Sequence, residues 1–527
     1  MDDRFAAAWR LLPGYLGQHI LLSAAALALG LVVSLPLALL AARSPKVRWP
    51  ALAIASLIQT IPGLALLALF YPLLLAVSSL TLRTFGFGVP ALGFLPSLLA
   101  LTLYSMLPIL RNGVAGLTGV DPAVLEAADG VGMTPAQKLW RVEVPLAAPV
   151  VMAGVRTAAV WTIGAATLST PVGQTSLGDY IFAGLQTENW VFVLFGCAAA
   201  AGLALVVDQL LGLIEVGAAR RDKTRIVAGV AGLVLGTLAA LTPFAHAGRP
   251  AYVIGAKNFS EQFILASIIG DRLEAADAKA ARKDGLGSAI VFRALASSDI
   301  DVYVDYTGTL WTNVLHRSDT PPREQMLAEL TRELKARYGV TVLGSLGFEN
   351  AYALTMTSPR ASALGVRSIE DLVPRAGQLT LGGDLEFLSR PEWAAIRKAY
   401  GLGFRGQKSY NPTFMYRALE DGEADVISAF SSDGRIAADH LVALTDPRHA
   451  IPNYDAVLLI SPKRADDARL RQALSPLIGR IDVAHMRQAN FMVDRDQDKR
   501  PPEQAGRWLE AAVGLTTSPR RGSDGGR

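Results

Sequence analysis

TRIVAGVAGLVLGTLAALTPFAHAGRP, residues Thr224 to Pro250, decides how the chain is organised. Arg220, Arg221, Lys223 and Arg225 lead into an uncharged apolar run that ends in Ala245-His246-Ala247. A positive flank, an apolar stretch and a small-x-small terminus are the layout of a secretory signal peptide. Here the layout sits near the middle of 527 residues, where the composition changes. Before it, charges are sparse and apolar runs are long; after Arg249 the charge is mixed, as in a soluble domain. The segment therefore reads as a sixth membrane span of 219–250 that passes from an embedded half to an external one.

A spanning helix needs roughly 20 apolar residues to cross a core of about 30 Å. His19 to Ala42, Trp49 to Leu82, Thr84 to Leu110, Thr157 to Gly178 and Asn189 to Val207 meet that need, and Ile226 to Ala245 is the sixth run. The second run is too long for one straight span. Pro62-Gly63 and Pro72 predict a kinked or tilted helix with a short re-entrant or interfacial end. Orientation follows from the basic residues. Arg43, Lys46 and Arg48 follow run one, Arg111, Lys138 and Arg141 separate runs three and four, and Arg220 to Arg225 follow run five. All three connections lie on the cytoplasmic side if the N-terminus is outside, and run six then delivers the second half to the external face. Arg156, a turn or two into run four, is expected to snorkel towards the cytoplasmic headgroups.

The longest basic-side connection contains EAADGVGMTPAQKLWRVEVP, Glu126 to Pro145. Asp121-Pro122 suits a helix start, Gly132 suits its end, and Thr134-Pro135 starts a second helix to Arg141. The pattern resembles the EAA loop of ABC-importer permeases, EAA-x3-G-x9-I-x-LP, with Val142 and Val144 in place of Ile and Leu. The resemblance implies a short coupling helix that docks on a cytoplasmic ATPase subunit through Glu126, Ala127, Ala128, Gly132 and Pro145. Ile58–Leu74, Leu103–Leu117 and Pro145–Leu168 resemble the glycine betaine and choline branch of that family, which extends the likeness over about 15–218.

From Ala251 short strands alternate with helices, the pattern of α/β lobes. AYVIGA and IDVYVDY read as strands; Ser260 is expected to cap a helix running to about Leu273. GAKNFSEQFILA (255–266), DIDVYVDYTGT (299–309), LGFENAYAL (346–354), GGDLEFLSRPEW (382–393), TFMYRALEDGEADVISAFSSDGRI (413–436) and HMRQANFMVD (485–494) resemble, in order, the osmoprotectant-binding proteins of the same transporters. The resemblance therefore implies a multi-domain chain. An all-α polytopic membrane permease of type I importer kind (1–218) is followed by a two-lobed α/β binding-protein domain of type II (251–515). Lobe one would take about 251–353 and 446–515, lobe two about 354–445. Residues 516–527, rich in Gly, Ser and Arg, are expected to be disordered.

A quaternary ammonium has no donor protons and a diffuse charge, so aromatic faces suit it, at about 0.5–2 kcal/mol per ring. By the resemblance, Tyr306, Tyr352 and Tyr416 build the cage, and Gln262 and Thr309 hydrogen-bond the ligand's hydroxyl or carboxylate end. Phe430 stands where some relatives have a hydroxylated ring. The implied function is ATP-driven uptake of glycine betaine, choline or a similar compatible solute at a bacterial inner membrane, by a permease homodimer carrying its own extracytoplasmic receptors. Uptake of another small solute such as an amino acid, or a membrane-anchored sensor without transport, is the alternative.

The sequence has no G-x-x-x-x-G-K-[ST], so ATP must be hydrolysed by a separate subunit. A net charge of +4 over this length points to no nucleic-acid partner. The one cysteine, Cys197, and scattered histidines predict no metal, cofactor or catalytic centre.

Overall fold

The computed structural model describes residues 3–85, 89–186, 189–246, 251–410, 412–495 and 497–515. Ala247 and the 516–527 tail lie outside the described residues. The chain divides near Gly248 into a helical unit and an α/β unit.

The helical unit contains α1 (Asp3–Arg43), α2 (Pro45–Thr60), α3 (Gly63–Phe85), α4 (Phe94–Thr118), α5 (Pro122–Gly130), α6 (Pro135–Lys138), α7 (Val144–Ala166), α8 (Gly178–Gln186), α9 (Trp190–Arg220) and α10 (Lys223–His246). Six segments among the described residues are long and apolar enough to cross a membrane, in α1, α3, α4, α7 with its flanks, α9 and α10. The long second run is not one kinked helix. It breaks at Ile61-Pro62 into α2 and α3, and the Tyr104 hydroxyl on α4 donates to the carbonyl of Ile61 there. Pro62 removes a donor and drives its predecessor to extended backbone, which is how Ile61 sits. Pro72, by contrast, stays inside α3.

Helix α1 packs against α4, α7 and α10, and α4 against α7. Arg156 on α7 does not snorkel. It holds Asp208 at 2.8 Å and Glu215 at 2.7 Å, both on α9. A charge at membrane depth is costly, and two carboxylates about two turns apart on a neighbouring helix neutralise it more completely than distant headgroups can.

The α/β unit holds two sheets. The first has strand order β2-β1-β3-β10-β4, with β1 (Tyr252–Lys257), β2 (Ala280–Leu286), β3 (Val302–Tyr306), β4 (Thr341–Glu349) and β10 (Asp455–Ile460). The second has order β7-β6-β8-β5-β9, with β5 (Tyr352–Thr357), β6 (Thr380–Asp384), β7 (Gly406–Tyr410), β8 (Val426–Phe430) and β9 (Leu441–Ala443). In each sheet three neighbouring strands run parallel, β1 with β2 and β3 in one, β6 with β7 and β8 in the other; β10 pairs antiparallel with β3, and β5 antiparallel with β8. The chain passes from the first sheet to the second between Glu349 and Tyr352, and returns after β9.

Helix α11 (Ser260–Ala275) follows β1, and α12 (Ser288–Ala296) follows β2. Ser260 does not cap α11: Phe259 occupies the N-cap position, and the Ser260 hydroxyl donates instead to Asp494 at 2.5 Å.

Candidate functional site

The parallel strands of both sheets aim their carboxyl ends at one place, where open α/β sheets collect ligands. Lys257 ends β1, Tyr306 ends β3, Asp384 ends β6, Tyr410 ends β7 and Phe430 ends β8. All five line a cavity of about 400 Å³ between the two sheets. The antiparallel strands begin there, so Tyr352, first in β5, and Tyr454, just before β10, complete the wall.

Five aromatic rings follow one another around it. Phe259 lies 6.2 Å from Tyr306 and 6.0 Å from Phe430, nearly parallel to the latter at 6°. Tyr352 stands 5.0 Å from Phe430 and 5.9 Å from Tyr454, edge-on to that ring at 88°. Such centroid spacings are those of attractive aromatic pairs, so the rings brace one another.

Two cations sit beside them. Lys257 is ion-paired with buried Asp305 and places Nζ 5.2 Å from the Tyr306 centroid. Arg390 places Cζ 5.3 Å from the Tyr352 centroid; it donates to Glu386 at 2.6 Å, to Glu392 at 3.0 Å and to the Thr309 hydroxyl at 3.2 Å. Glu392 also accepts from the hydroxyls of Tyr454 and Thr312, so the two lobes are tied through it. Across the mouth the Ser288 hydroxyl donates to Glu386 at 2.9 Å.

Behind the rings lies a buried carboxylate. Glu261 accepts from the Tyr306 hydroxyl at 2.5 Å, Asn350 at 3.1 Å, Ser432 at 2.6 Å and Asn490 at 2.9 Å. Burial pushes its pKa up, and those four donors oppose the shift. Burial likewise raises the carboxyl of Asp384, against the hydrogen bond it accepts from the Phe387 amide.

Of the residues named from sequence, the structure brings Tyr306, Thr309, Tyr352 and Phe430 to one cavity. Gln262 does not reach it: its Nε2 donates to the Tyr306 hydroxyl at 3.0 Å and its Oε1 accepts from the Lys257 amide, so it braces the wall. Tyr416 does not reach it either. Arg435 stacks on the Tyr416 ring at 3.8 Å, and the tyrosine lines a smaller neighbouring cavity with Asp433, Arg435 and Asp494. Sequence reasoning missed Phe259, Tyr454, Lys257, Asp384 and Arg390. Phe259 lay within a quoted motif, next to the expected cap; Tyr454 follows Pro452-Asn453 in a connection that carries no motif.

The connection between α4 and α7 is also a built surface. Asp121 caps α5 through the Ala123 amide, and Thr134 and Gln137 form a reciprocal capping box on α6. Gly132 turns between them at φ +74°, a region that a side chain disfavours. Lys138 pairs with Asp129 at 2.7 Å and holds the two helices together. Glu126, Ala127, Gly132 and Pro145 are exposed, with Val131 and Trp140, while Ala128 is buried.

Comparison with known proteins supplies the family. Residues 34–218 match the binding-protein-dependent transport system inner membrane component, and residues 250–511 the substrate-binding domain of ABC-type glycine betaine transport systems. Over 198 residues the chain is 42% identical to the choline transport system permease protein OpuBB of Bacillus subtilis (strain 168), covering 38% of this chain and 84% of that one. The chain belongs to the ABC importer permeases. In this permease the receptor is fused on. The ergothioneine transport permease/ergothioneine binding protein EgtU of Helicobacter pylori (strain G27) is 28% identical over 468 residues, 85% of this permease and 81% of that chain. The glycine betaine/carnitine/choline transport system permease protein OpuCB of B. subtilis (strain 168) is 38% identical over 199 residues, 38% of this permease and 84% of that chain. The permease is thus a multi-pass subunit of the inner membrane and not an enzyme. Its substrate-binding domain is extracytoplasmic, and a separate ATPase subunit drives it.

Proposed function

We propose that the permease imports a quaternary-ammonium compatible solute captured by its own receptor. The observation that carries this reading is the run of five rings, Tyr306, Phe259, Phe430, Tyr352 and Tyr454, around one cavity. Aromatic faces attract a desolvated ammonium by up to about 2 kcal/mol each. Lys257, Arg390 and the Thr309 hydroxyl would hold the carboxylate of a betaine; Gln262 acts by positioning Tyr306. Glycine betaine, choline and ergothioneine all carry a trimethylammonium group, so the names of the relatives agree with the chemistry of the cavity.

The division of labour follows. Residues 1–218 form the transport part, 219–250 the sixth helix, and 251–515 the receptor, with lobe one at about 251–353 and 446–515 and lobe two at about 354–445. Two copies make one pathway, and Glu126, Ala127, Ala128, Gly132 and Pro145 contact the ATPase subunit. Titration calorimetry of the purified chain with glycine betaine, choline, carnitine and proline tests the ligand class. Heat from at least one quaternary amine and none from proline is expected; silence for every quaternary amine overturns the reading.

A further inference from the structure

Helix α9 carries a socket for one guanidinium. Asp208, Gly212 and Glu215 stand at i, i+4 and i+7, on one face of the helix. Arg156 of α7 lies in it: Nε and Nη2 donate to the two oxygens of Asp208 at 2.9 and 2.8 Å, and Nη1 donates to Glu215 at 2.7 Å. A Cβ on Gly212 would stand 3.5 Å from Arg156 Cζ, so the glycine is the floor on which the guanidinium rests. Asp208 lies twelve residues from Arg220, the last of α9, and Arg156 eleven from Pro145, each ~17–18 Å along its helix and so within the bilayer core. The other side of the same two turns seats α10, where Gly229 lies close against the Leu210 carbonyl.

Stability does not account for this triad. Three ionised groups at membrane depth cost more to embed than leucines, and a buried triad replaced by apolar residues is commonly as stable or more so. What apolar packing lacks is register. Between lipid-bathed helices it ranks axial offsets weakly, whereas a bidentate pair with a second carboxylate two turns along fixes one offset. The chain leading to Arg156 is also continuous. Helix α6, a π turn at Leu139–Glu143 and α7 form one uninterrupted rod from Pro135 to Ala166, and the pair of Lys138 with Asp129 ties α5 to its foot.

We propose that the triad of Arg156, Asp208 and Glu215 couples ATP hydrolysis to transport: it pins α9 to the rod, so that a displacement of α5 and α6 by the ATPase subunit moves α7 and α9 as one body. All three are then positioning residues for transport. This rests on the reading of the connection between α4 and α7 as the ATPase contact, and extends it to a part of the membrane bundle that the ATPase subunit does not touch.

The test uses the full-length permease with its ATPase subunit in proteoliposomes, with choline, carnitine and ergothioneine as solutes. Wild type is compared with Arg156→Gln and with a triple variant, Arg156→Met, Asp208→Leu and Glu215→Leu, which leaves the span apolar and the bundle folded. Solute binding by calorimetry and co-purification of the ATPase subunit are expected to be unchanged. The ATP hydrolysed per solute transported is expected to rise roughly 2- to 30-fold in both variants, the range carried by residues along a transmission route. The triple variant decides where Arg156→Gln fails to fold. A wild-type ratio in the triple variant makes the triad a stabilising contact and overturns the inference. Loss of solute binding or of the ATPase subunit in that variant makes the triad a folding element and overturns it equally. Co-purification indifferent to Glu126→Ala overturns the reading of the connection, and uptake of none of the three solutes by wild type overturns the functional reading; the inference falls with either.

Discussion

Tyr352 is the residue on which the cage turns, because its ring touches Phe430, Tyr454 and Phe387 and faces Arg390. Tyr352→Leu keeps the apolar volume and removes the π-face. It should weaken quaternary-amine binding by roughly 10- to 30-fold in a calorimetric titration, the worth of one desolvated ring. A loss under about threefold would put the ammonium elsewhere. The neighbouring cluster of Asp433, Arg435 and Asp494 makes a second prediction. Burial and Asp433 raise the carboxyl of Asp494 to about 6, against the pull of Arg435, Ser260 and Lys499. The folded state then holds this proton more tightly than the unfolded chain, whose aspartates titrate near ~3.9. The stability it lends is full below that value and is lost as pH rises through about 6. Thermal unfolding of the purified chain between those limits should show a falling slope that Asp494→Asn flattens. The resemblance named Tyr306, Tyr352 and Phe430, all three of which the structure brings to one cavity. It misplaced Tyr416, because only the tertiary structure lays Arg435 over that ring. It missed Arg390 although that residue lies within a quoted motif, and Tyr454, which reaches the cavity from a connection that carries none.

At the scale of elements, the connection between α4 and α7 was legible in detail because its constraints are local: a capping Asp, a Pro, a positive-φ Gly and a second cap. Glu126→Ala, and Gly132→Val beside it, should lower ATPase co-purification and solute uptake several-fold while leaving the ligand titration unchanged. Equal loss of ligand binding would show that these changes unfold the permease. Breaks and polar partners inside spans were less legible. Hydropathy cannot tell that Ile61-Pro62 ends α2, nor that Arg156 waits for Asp208 and Glu215 some fifty residues on. The sixth helix packs as an integral element: a Cβ on Gly229 would meet the Leu210 carbonyl at 2.6 Å, and Leu233 joins residues of α1, α7 and α9. Small residues of this kind let helices approach in a membrane. Replacing Gly229 by Leu should therefore lower the detergent half-life of the bundle.

For the whole molecule, the run at 224–250 resolves into a question of processing. A helix packed on α9 and α1 is suited to anchor, and a receptor left uncleaved would be held at its own membrane part at an effective concentration of roughly millimolar. Membranes probed with an antibody to residues 251–515 should show one band at the full mass of the chain; a band near half that mass would mean that the receptor is released. Cross-linking should capture a permease dimer, and so two receptors per transporter. The two-part layout, an apolar half followed by a half of mixed charge, was legible from composition, and the motifs of each half supplied the rest. The most direct test of the whole account is ATP-dependent uptake in proteoliposomes that hold the permease with its ATPase subunit, using radiolabelled choline, carnitine and ergothioneine. The account predicts that at least one accumulates, and that Tyr352→Leu and Glu126→Ala each abolish most of that uptake. No accumulation of any quaternary amine, or uptake indifferent to both changes, would contradict it.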